Sequence, residues 1–395
     1  MHPPDADVVV VRHGEVGVKS EQVRRRMEDR LAENLAAMFD ARGLAGDVER
    51  RRNRLFVHTD RPADVTDAVT DTFGVVSASA AVTVDPTLDA ICDALRAATE
   101  ARYDGGTFAV DARRAGPSDA HPFASTDIES EGGAAVWDAV ESLGETPEVD
   151  LDDPDFRLYV ECRPDTAYVF LTKQSGPGGM PLGTQRPVVA LVSGGIDSPV
   201  AAWKAMRRGC PVIPVYVDLG DYGGPDHRAR ARATVETLAE YAPGRPMAMH
   251  VVDAGDVVTD LAASLTDLRM LALRRFMLAT AEAVAEEEGA VGVVTGEAIG
   301  QKSSQTSANV AVTDVATDLP VHRPNLTADK AEITNLARDV GTFEDSTVDT
   351  GCNRVAPELP ETNASLAAVR EAEPDDLFER ARECARTRTV EAIES

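Results

Sequence analysis

The stretch 193–199 (SGGIDSP) constrains the fold of this chain more than any other. An apolar run, 187–192, precedes it, and a helical pattern, 199–208, follows it. The stretch therefore predicts a tight turn that joins a buried strand to a helix. Such a turn directs backbone N–H groups and the positive end of a helix dipole at one point, and its glycines let the backbone approach an anion closely. The sequence thus predicts a phosphate or pyrophosphate site, the alternative being an ordinary strand-to-helix turn.

The composition indicates a cytoplasmic protein of two or three domains. The chain has 395 residues, of which 43% are hydrophobic, enough for more than one core. No segment approaches the roughly 18 consecutive apolar residues of a membrane-spanning helix. The first five residues are polar and acidic, unlike a signal peptide. We therefore expect a cytoplasmic location and no membrane partner.

The net charge of −27 is extreme, because 67 Asp and Glu residues oppose 40 Lys and Arg residues. Only five of the 40 basic residues are Lys. Acid-rich, lysine-poor chains are typical of proteins that work in concentrated salt, where repulsion between carboxylates is screened because the Debye length falls to about 3 Å at 1 M. The charge predicts a halophilic archaeal source. The alternative is an acidic surface for a basic partner, but the acidic residues are spread along the whole chain.

The odd number of cysteines and their wide spacing argue against a disulfide framework. No C-x-x-C pair occurs, so a zinc ribbon is not expected. The cysteines are Cys92, Cys162, Cys210, Cys352 and Cys384.

The first half of the chain mixes helices with short strands, which predicts an α+β organisation. Ser20 is placed to cap the first helix. The predicted strands are 8–11, two within 47–59, 107–113, 156–161 and 166–172. The predicted helices are 21–41, 63–72, 87–102 and 125–143.

Beyond a breaker cluster at 176–181, which marks a domain boundary, strands and helices alternate. This alternation predicts a parallel, doubly wound sheet that binds its ligands at the carboxyl ends of the strands. The predicted strands are Val188–Val192, 212–217, 247–252 and 291–295. The predicted helices are 199–208, 228–241, 257–264, 270–288 and 330–339.

A second motif, 295–306 (TGEAIGQKSSQT), directly follows the last of these strands. It should lie at the same carboxyl edge as the stretch 193–199 and face it. Its small and amide-bearing side chains suit hydrogen bonds with a nucleotide base or ribose. Polar loops after strands are common, so the motif is specific only together with the first one.

The stretch 193–199 lacks the Gly-Lys-Ser/Thr of a Walker A loop and resembles the PP-loop of ATP pyrophosphatases, which adenylate a substrate. With the motif 295–306, in this order and spacing, it is similar to the tRNA uracil 4-sulfurtransferase family. The resemblance implies a ferredoxin-like domain over residues 1–75, a THUMP RNA-binding domain over 76–175 and a PP-loop catalytic domain over 176–395. Other segments that fit the family are 183–185, 206–210, 273–277, 323–324, 329–333 and the region around Cys352.

The resemblance implies that ATP adenylates O4 of uridine 8 in tRNA and that sulfur then displaces AMP at C4, which gives 4-thiouridine. Some members of the family also supply sulfur for thiamine thiazole. The implied catalytic residues are Asp197, also a candidate magnesium ligand, Lys330 and Cys352. The implied ATP contacts are Leu191, Val192, Ser193, Gly194, Gly195, Asp197, Ser198, Tyr216, Val217, Arg274, Gly296 and Gln305. Arg274 stands where the family carries Lys, which keeps the charge and changes its geometry.

Each implied catalytic residue has a structural alternative. Asp197 could cap its own helix, Lys330 could be a solvated residue at a helix start, and Cys352 could be a small buried hydrophobe, as expected for the other four cysteines. Lys330 is one of only five lysines in an arginine-dominated chain, which favours a specific role such as stabilising phosphate charge. A thiolate at Cys352 could carry a persulfide or resolve one by exchange.

The sequence leaves the source of the sulfur open. Bacterial family members with a C-terminal rhodanese domain carry their persulfide there, whereas this sequence stops at Ser395, near the expected end of the PP-loop domain. The expected donor is a separate persulfide carrier, free sulfide or a persulfide on Cys352. Some archaeal relatives hold an iron–sulfur cluster with paired cysteines, which this sequence lacks, so no cluster is expected. The family implies a homodimer.

An acidic chain needs local basic groups to bind tRNA, which is a polyanion. The candidates lie in the predicted RNA-binding half: residues 24–26, 50–52 with Arg54, and 113–114. The alternative is that these arginines pair with nearby acids on the surface. In high salt, counterion release contributes little, so shape, hydrogen bonds and 2′-OH contacts should determine recognition.

Two rival functions remain. The first is another PP-loop tRNA thiolase or an adenylating enzyme that forms amides; the RNA-binding half and the motif 296–306 count against it. The second is a non-catalytic tRNA-binding protein, which would not need Asp197, Lys330 and Cys352 together.

Overall fold

The structure is a computed structural model that describes residues 1–14, 20–51, 54–117, 119–223, 225–346 and 352–393. The chain divides into two compact units, Met1–Met180 and Pro181–Ser395. No helix in the described ranges is long and apolar enough to cross a membrane.

In the described residues of the first unit, the structure has one sheet of nine strands and four helices. The strands are β1 (Val8–His13), β2 (Asp47–Arg51), β3 (Arg54–His58), β4 (Val75–Val84), β5 (Thr107–Arg114), β6 (Glu148–Val149), β7 (Phe156–Cys162), β8 (Ala167–Phe170) and β9 (Gln174–Ser175). The helices are α1 (Glu21–Arg42), α2 (Pro62–Thr70), α3 (Leu88–Arg102) and α4 (Ser125–Ser142). The strand order is β2-β3-β1-β4-β8-β7-β5-β6, and β9 pairs with β4.

All four helices of this unit pack on one face of the sheet. Helices α1 and α2 bury Val9 and Val11 of β1 and Ala78 of β4, whereas α3 and α4 cover Val82 and the inward residues of β5, β7 and β8. Ala78 and Val82 point to the same side because side chains alternate along a strand. The opposite face carries a separate buried cluster of apolar and aromatic residues: Val8, Val10, Phe56, Ala81, Tyr168 and Phe170.

Strand β4 is absent from the sequence-based prediction, yet it lies at the centre of the sheet between β1 and β8. Its sequence, VVSASAAVTV, has Val and Thr at its ends but five consecutive Ala and Ser residues in its middle, 77–81, so pairing on both sides stabilises a segment whose middle has little strand preference of its own. The predicted capping by Ser20 is wrong, because its side chain makes no capping hydrogen bond to α1. Thr87, in contrast, caps α3 by accepting a hydrogen bond from Ala90 N.

The second unit is the predicted doubly wound sheet. Its strands are β10 (Val188–Val192), β11 (Val212–Asp218), β12 (Ala248–Asp253), β13 (Val293–Val294), β14 (Val321–His322) and β15 (Thr389–Ala392), in the order β14-β13-β10-β11-β12-β15. Its helices are α5 (Asp197–Arg207), α6 (Pro225–Glu240), α7 (Gly255–Ser264), α8 (Arg269–Glu288), α9 (Ser307–Asp314), α10 (Lys330–Val340), α11 (Cys352–Val355), α12 (Leu366–Ala372) and α13 (Leu377–Arg386). Strands β10 to β14 pair in parallel, and β15 closes one edge antiparallel to β12.

The elements that the sequence-based prediction missed in this unit are short or lie at an edge. Strand β14 has two residues, and β15 has a half-exposed or exposed side chain at every position. Strand β13 lies within the predicted strand 291–295 and is shorter than predicted. Helix α13 packs against α8 and buries Leu377 and Ala381, so its position depends on tertiary contacts. The parallel strands direct their carboxyl ends to one edge, where β10 and β13 are neighbours and the two sequence motifs follow them.

Candidate active site

The PP-loop is shaped by two hydroxyl groups. Ser193 N–H donates to Ser198 Oγ at 2.9 Å, and Gly195 N–H donates to Ser193 Oγ at 3.3 Å. Helix α5 begins directly after the turn at Asp197, with Ile196 at its N-cap and no side-chain cap. The free N–H groups of its first turn and its dipole therefore favour an anion at this point.

Two glycines allow the backbones around the PP-loop to approach closely. A Cβ atom on Gly194 would lie 3.3 Å from both Arg230 Cβ and the carbonyl oxygen of His227 in α6. A Cβ on Gly296 would lie 2.6 Å from both the carbonyl carbon of Asp197 and Ser198 N. The loop after β13 thus rests directly on the first turn of α5, which confirms that the two sequence motifs face each other.

A cavity of about 780 Å³ opens beside this contact and contains ten of the twelve residues predicted to contact ATP. The other two lie elsewhere among the described residues: Gly194 packs against α6, and Tyr216 is buried in β11. The ten that line the cavity are Leu191, Val192, Ser193, Gly195, Asp197, Ser198, Val217, Arg274, Gly296 and Gln305.

One end of the cavity is apolar and the other polar. The apolar wall comes from β10, β11 and α8, and its side chains are Leu191, Val217, Met270, Leu273, Met277 and Leu278. Methionine and branched aliphatic side chains can cover the faces of a flat heterocycle. The polar end contains the PP-loop and Lys330. This division suits a nucleotide, with its base in the apolar end and its phosphates at the PP-loop.

Glu297 organises the charges on the motif side of the cavity. Its carboxylate is 7% exposed and pairs with Arg274 and Arg323, whose Nε donates to Oε2 at 2.7 Å. Thr295 Oγ1 donates to the same oxygen at 3.0 Å. Burial raises the pKa of Glu297, but the charges of Arg274 and Arg323 outweigh burial and hold the pKa below its ordinary value. Arg323 also pairs with Asp314, its Nη2 2.5 Å from Oδ1, so two carboxylates balance the two guanidinium groups, and this network holds the Arg274 guanidinium at the cavity wall.

Arg274 is held in place from three sides. Besides the pair with Glu297, its Nε donates to Ser304 Oγ at 3.2 Å. The amide of Gln305 accepts from Arg274 Nη2 at 3.0 Å and donates to Ala298 O at 2.9 Å. The planar fork of arginine makes this set of contacts possible, whereas a lysine ammonium would make fewer of them.

Lys330 and Asp197 form an ion pair at the PP-loop, with Lys330 Nζ 2.8 Å from Asp197 Oδ1. Lys330 is the first residue of α10, which Asp329 caps through a reciprocal bond with Glu332. The backbone of Asp197 is fixed as well, since Asn325 Nδ2 donates to its carbonyl oxygen at 2.8 Å. The carboxylate of Asp197 faces Lys330, and no capping bond to α5 accompanies this pair within the described residues.

Cys352 begins the short helix α11, but its side chain lies outside what the structure describes, as do residues 347–351. Ala356, just after α11, lines the cavity. The remaining cysteines are buried or half-buried, and burial raises the pKa of each thiol: Cys92, Cys162, Cys210 and Cys384. Raised values keep these four thiols protonated, which agrees with packing roles.

Sequence reasoning missed two residues of this site, Glu297 and Arg323. Both lie in segments that had been singled out from the sequence. Glu297 follows β13 and Arg323 follows β14, and only the fold brings Glu297 into contact with Arg323 and with Arg274 of α8. The available signal for Glu297 was an acidic residue next to a loop glycine in a motif already singled out. No group of three or more His, Cys, Asp or Glu side chains that could hold a metal occurs in the ranges that the structure describes.

Of the arginines predicted for RNA binding, four form ion pairs, Arg54 belongs to a cluster around Glu161, and Arg114 donates to the carbonyl oxygen of Phe123. The paired ones lie at the surface of the first unit, as the alternative predicted, except that Arg24 contacts the buried carboxylate of Glu28; Arg52 lies outside the described residues. Their ion pairs are Arg24–Glu28, Arg25–Glu21, Arg50–Asp29 and Arg51–Glu49.

The clustered arginines converge on Glu161, on the sheet face opposite the four helices. Arg163 Nη2 lies 2.9 Å from Glu161 Oε1, and Arg54 Nε lies 3.6 Å from Oε2. Burial raises the pKa of Glu161, but the charges of Arg54, Arg163 and Arg12 hold it below its ordinary value. Burial lowers the pKa of Arg12 to about 10. Three cations around one carboxylate leave excess positive charge on this face.

Aromatic rings lie under these cations. The guanidinium of Arg12 is 4.7 Å from the ring centroid of Phe170, that of Arg163 is 5.1 Å from Phe56, and Lys173 Nζ is 3.8 Å from Tyr159. Cations over aromatic rings are the combination that binds nucleic-acid strands. The arginine face, as it is called below, comprises Arg12, Arg54, Phe56, Tyr159, Glu161, Arg163, Phe170 and Lys173.

Known families match three segments of the chain. Residues 8–79 match the ThiI ferredoxin-like domain, residues 85–172 match the THUMP domain, and residues 183–377 match the family described as thiamine biosynthesis protein (ThiI).

Similar proteins match nearly the full length. A probable tRNA sulfurtransferase of Halobacterium salinarum is 61% identical over 97% of this chain and 96% of its own length. One of Methanosarcina acetivorans is 38% identical over 92% of this chain and 88% of its own. The crystal structure of a 4-thiouridine synthetase–RNA complex with bound ATP covers 98% of this chain and all of that chain, with a TM-score of 0.84 and 30% identity. The chain therefore belongs to the ThiI family of tRNA sulfurtransferases.

Proposed function

We propose that the chain is an ATP-dependent tRNA sulfurtransferase that replaces O4 of uridine 8 with sulfur, giving 4-thiouridine and releasing pyrophosphate and AMP. The observation that carries the proposal is the single cavity in which the PP-loop, the loop 296–305 and Lys330 meet. The 30% identical 4-thiouridine synthetase, whose structure contains RNA and ATP, supports it.

The geometry suits adenylation of a carbonyl oxygen. O4 is a poor leaving group, and attack of O4 on the α-phosphorus of ATP converts it into a phosphate ester while pyrophosphate leaves. The N–H groups of the PP-loop and the first turn of α5 bind the departing pyrophosphate. Lys330, beside Asp197, stabilises the negative charge that grows on the phosphates in the transition state. Arg274, fixed by Glu297, adds a second cation at the cavity wall.

The residues at the PP-loop fit a magnesium ion that accompanies ATP. Mg²⁺ in proteins is usually held by one or two carboxylates together with substrate phosphates. Asp197 supplies one carboxylate that lines the cavity beside the PP-loop. A bound Mg²⁺ would neutralise charge on the phosphates.

Sulfur delivery is assigned to Cys352 as a carrier or resolving thiol. The segment that contains Cys352 is flanked in the chain by Ser346 and Ala356, both of which line the cavity. The terminal sulfur of a persulfide would attack C4 of the adenylated base and expel AMP, which leaves the base joined to the carrier through a disulfide. The Cys352 thiolate, or a thiol reductant where Cys352 itself carries the persulfide, would then attack that disulfide and release 4-thiouridine, and a dithiol reductant would reduce the protein disulfide that remains. The immediate sulfur donor is a persulfide carrier, whereas free sulfide would attack C4 directly and expel AMP without passing through Cys352.

The arginine face is proposed to bind the tRNA backbone. It lies in the unit that contains the THUMP match and concentrates positive charge in a chain whose net charge is −27. Its cations are partly shielded from solvent, so their attraction for phosphate survives high salt better than that of exposed lysines. The enzyme is further proposed to act as a homodimer in the cytoplasm, which the family resemblance implies.

Analysis of tRNA nucleosides tests the function. Deletion of the gene should remove 4-thiouridine, and the wild-type gene should restore it. Lys330→Gln and Cys352→Ser should fail to restore it, whereas Cys210→Ser, a matched substitution of a half-buried cysteine, should restore it fully. Persistence of 4-thiouridine in the deletion strain would contradict the proposal, and loss of another thiolated nucleoside instead would favour a different PP-loop thiolase.

A second role is the supply of sulfur for thiamine thiazole. The description of the matching family as a thiamine biosynthesis protein supports it. The deletion strain should then need added thiamine or thiazole for growth, and normal growth without either would exclude this role.

A further inference from the structure

Phe343 is the one aromatic side chain among the described residues that line the active-site cavity. It lies two residues beyond Gly341, where α10 ends, and its ring is half-buried. One part of the ring packs against an apolar cluster that includes Val200 of α5 and Ala337 of α10. The ring is thus anchored to the two helices that begin at Asp197 and Lys330.

Arg338 fixes the orientation of this ring. Its guanidinium carbon lies 4.5 Å from the ring centroid of Phe343, a cation–π contact. Arg338 Nη1 also donates to Asn335 Oδ1 at 3.3 Å, so the cation is tied to its own helix. A ring held by a cation and by an apolar cluster, with its remaining surface at the cavity, is a preorganised surface for a flat ligand.

The adenine of ATP is not that ligand, because the aliphatic side chains of β10, β11 and α8 that line the cavity already suit it. Phe343 instead lies on the segment that leads to Cys352, and Ser346 and Ala356 of the same segment also line the cavity. A base that receives sulfur must reach both the α-phosphate and the sulfur source. A base bound at the wall around Phe343 would be able to reach both the α-phosphate and the sulfur source.

We propose that Phe343 is the stacking platform for the pyrimidine base that accepts sulfur, turned out of the RNA helical stack. The inference rests on the proposed function and deepens it. Turning a base out of its stack is unfavourable, and stacking on an aromatic side chain offsets that cost. Phe343 would therefore hold the acceptor base in the reactive position, with O4 toward ATP and C4 accessible to sulfur.

Substitutions at Phe343 test the platform. Phe343→Leu should lower kcat/KM for tRNA about tenfold or more, as expected for a loss near 1.4 kcal/mol, and should leave the Kd for ATP within about twofold. Phe343→Tyr and Phe343→Trp should keep most of the activity, since they retain a ring. Phe378→Leu is the matched control, because Phe378 is also half-buried beneath a guanidinium, that of Arg275 at 5.2 Å, and does not line the cavity.

A stacking signal separates this role from a structural one. A tRNA transcript with fluorescent pyrrolocytidine in place of the acceptor uridine should lose emission on binding the wild-type enzyme and the Phe378→Leu variant. It should lose little on binding Phe343→Leu. Equal quenching by Phe343→Leu and wild type, or weaker ATP binding with unchanged tRNA kinetics, would overturn the platform alone. A wild-type enzyme that leaves tRNA unthiolated would overturn the proposed function and the platform with it.

Discussion

A Cβ atom on Gly296 would lie 2.6 Å from the carbonyl carbon of Asp197, well inside the 3.5–4.0 Å or so at which carbon atoms attract each other. Gly296→Ala should push the loop 296–305 away from the PP-loop. Overpacking of this kind costs roughly 1–3 kcal/mol, so the Kd for ATP should rise about 5- to 150-fold in equilibrium titration.

Gly133→Ala is the control for this change. A Cβ at Gly133, within α4, would meet nothing within 4 Å. This variant should leave ATP binding unchanged and raise the free energy of unfolding by about 0.5–1 kcal/mol, because Ala favours the helix over Gly. Equal ATP affinity for Gly296→Ala and wild type would show that the loop tolerates the displacement.

Lys330 should contribute mainly to the rate of the chemical step. Lys330→Gln removes the cation next to Asp197 and should lower kcat by about 10²–10³, the usual effect of losing one group that stabilises transition-state charge. The Kd for ATP should change much less. Lys302→Gln, which removes an exposed cation from the same cavity, should lower kcat by far less. Similar losses in both variants would mean that only the total charge of the cavity matters.

Glu297 should be important for folding as well as for catalysis. Glu297→Gln leaves Arg274 and Arg323 without their shared carboxylate. Removing one partner of a buried ion pair costs about 3–5 kcal/mol, which chemical denaturation would detect. Glu21→Gln breaks an exposed pair with Arg25 and should change the free energy of unfolding by about 1 kcal/mol or less. Comparable effects of both substitutions would contradict the role of Glu297.

The PP-loop and most of its cavity could be predicted because their signal is local. An apolar strand, a Gly-rich turn and a helix lie consecutively in the chain, and the parallel sheet then places Gly296 opposite Asp197. Glu297 could not be assigned in this way. Its role depends on two arginines from distant segments, and a sequence does not show which charges meet in the interior.

Strand β4 shows that the prediction of the fold is limited in the same way, because the strand depends on pairing with distant segments of the chain. Ala and Ser residues give it no strong pattern, and it is ordered by pairing with β1 on one side and β8 on the other. The basic groups show that the sequence also did not predict which arginines form the proposed RNA-binding surface. Arg50 and Arg51 looked like a binding patch but pair with acids, whereas Arg12, a single arginine at the end of β1, proved to lie in the cluster around Glu161.

Arg12 should contribute to tRNA binding where Arg25 does not. Arg12→Gln removes a cation from the arginine face and should weaken tRNA binding and reduce the slope of log Kd against log salt by about one. Arg25→Gln, at an exposed pair with Glu21, should leave both quantities unchanged. Filter binding or fluorescence anisotropy over a series of salt concentrations measures them. Loss of affinity without a change in slope would assign Arg12 to packing over the ring of Phe170.

His13 should make the stability of the first unit depend on pH. Its side chain is buried at 1% exposure, with Glu28 Oε1 at 3.4 Å, and burial followed by the charges of Arg54 and Arg24 lowers its pKa to about 4. The unfolded chain binds a proton at His13 near pH 6.5, whereas the folded chain does not until about pH 4. The contribution of neutral His13 to the free energy of unfolding is therefore complete above pH 6.5. It is lost as the pH falls toward 4, and the total loss is about 3 kcal/mol.

Glu28 changes the stability with pH in the opposite direction to His13. The effect of His13 is therefore measured as the difference between the wild type and a His13 variant. Burial raises the pKa of Glu28, and its folded form therefore keeps a proton that the unfolded form releases, which lowers stability as the pH rises above 4.5. His13→Gln keeps this effect and removes only that of His13. Denaturation at fixed high salt should show that the free energy of unfolding of the wild type falls more steeply between pH 6.5 and 4 than that of His13→Gln. His58→Gln is the control, because the side chain of His58 is 43% exposed, and its free energy of unfolding should fall as steeply as that of the wild type. Parallel curves for all three proteins would show that His13 is protonated in the folded state.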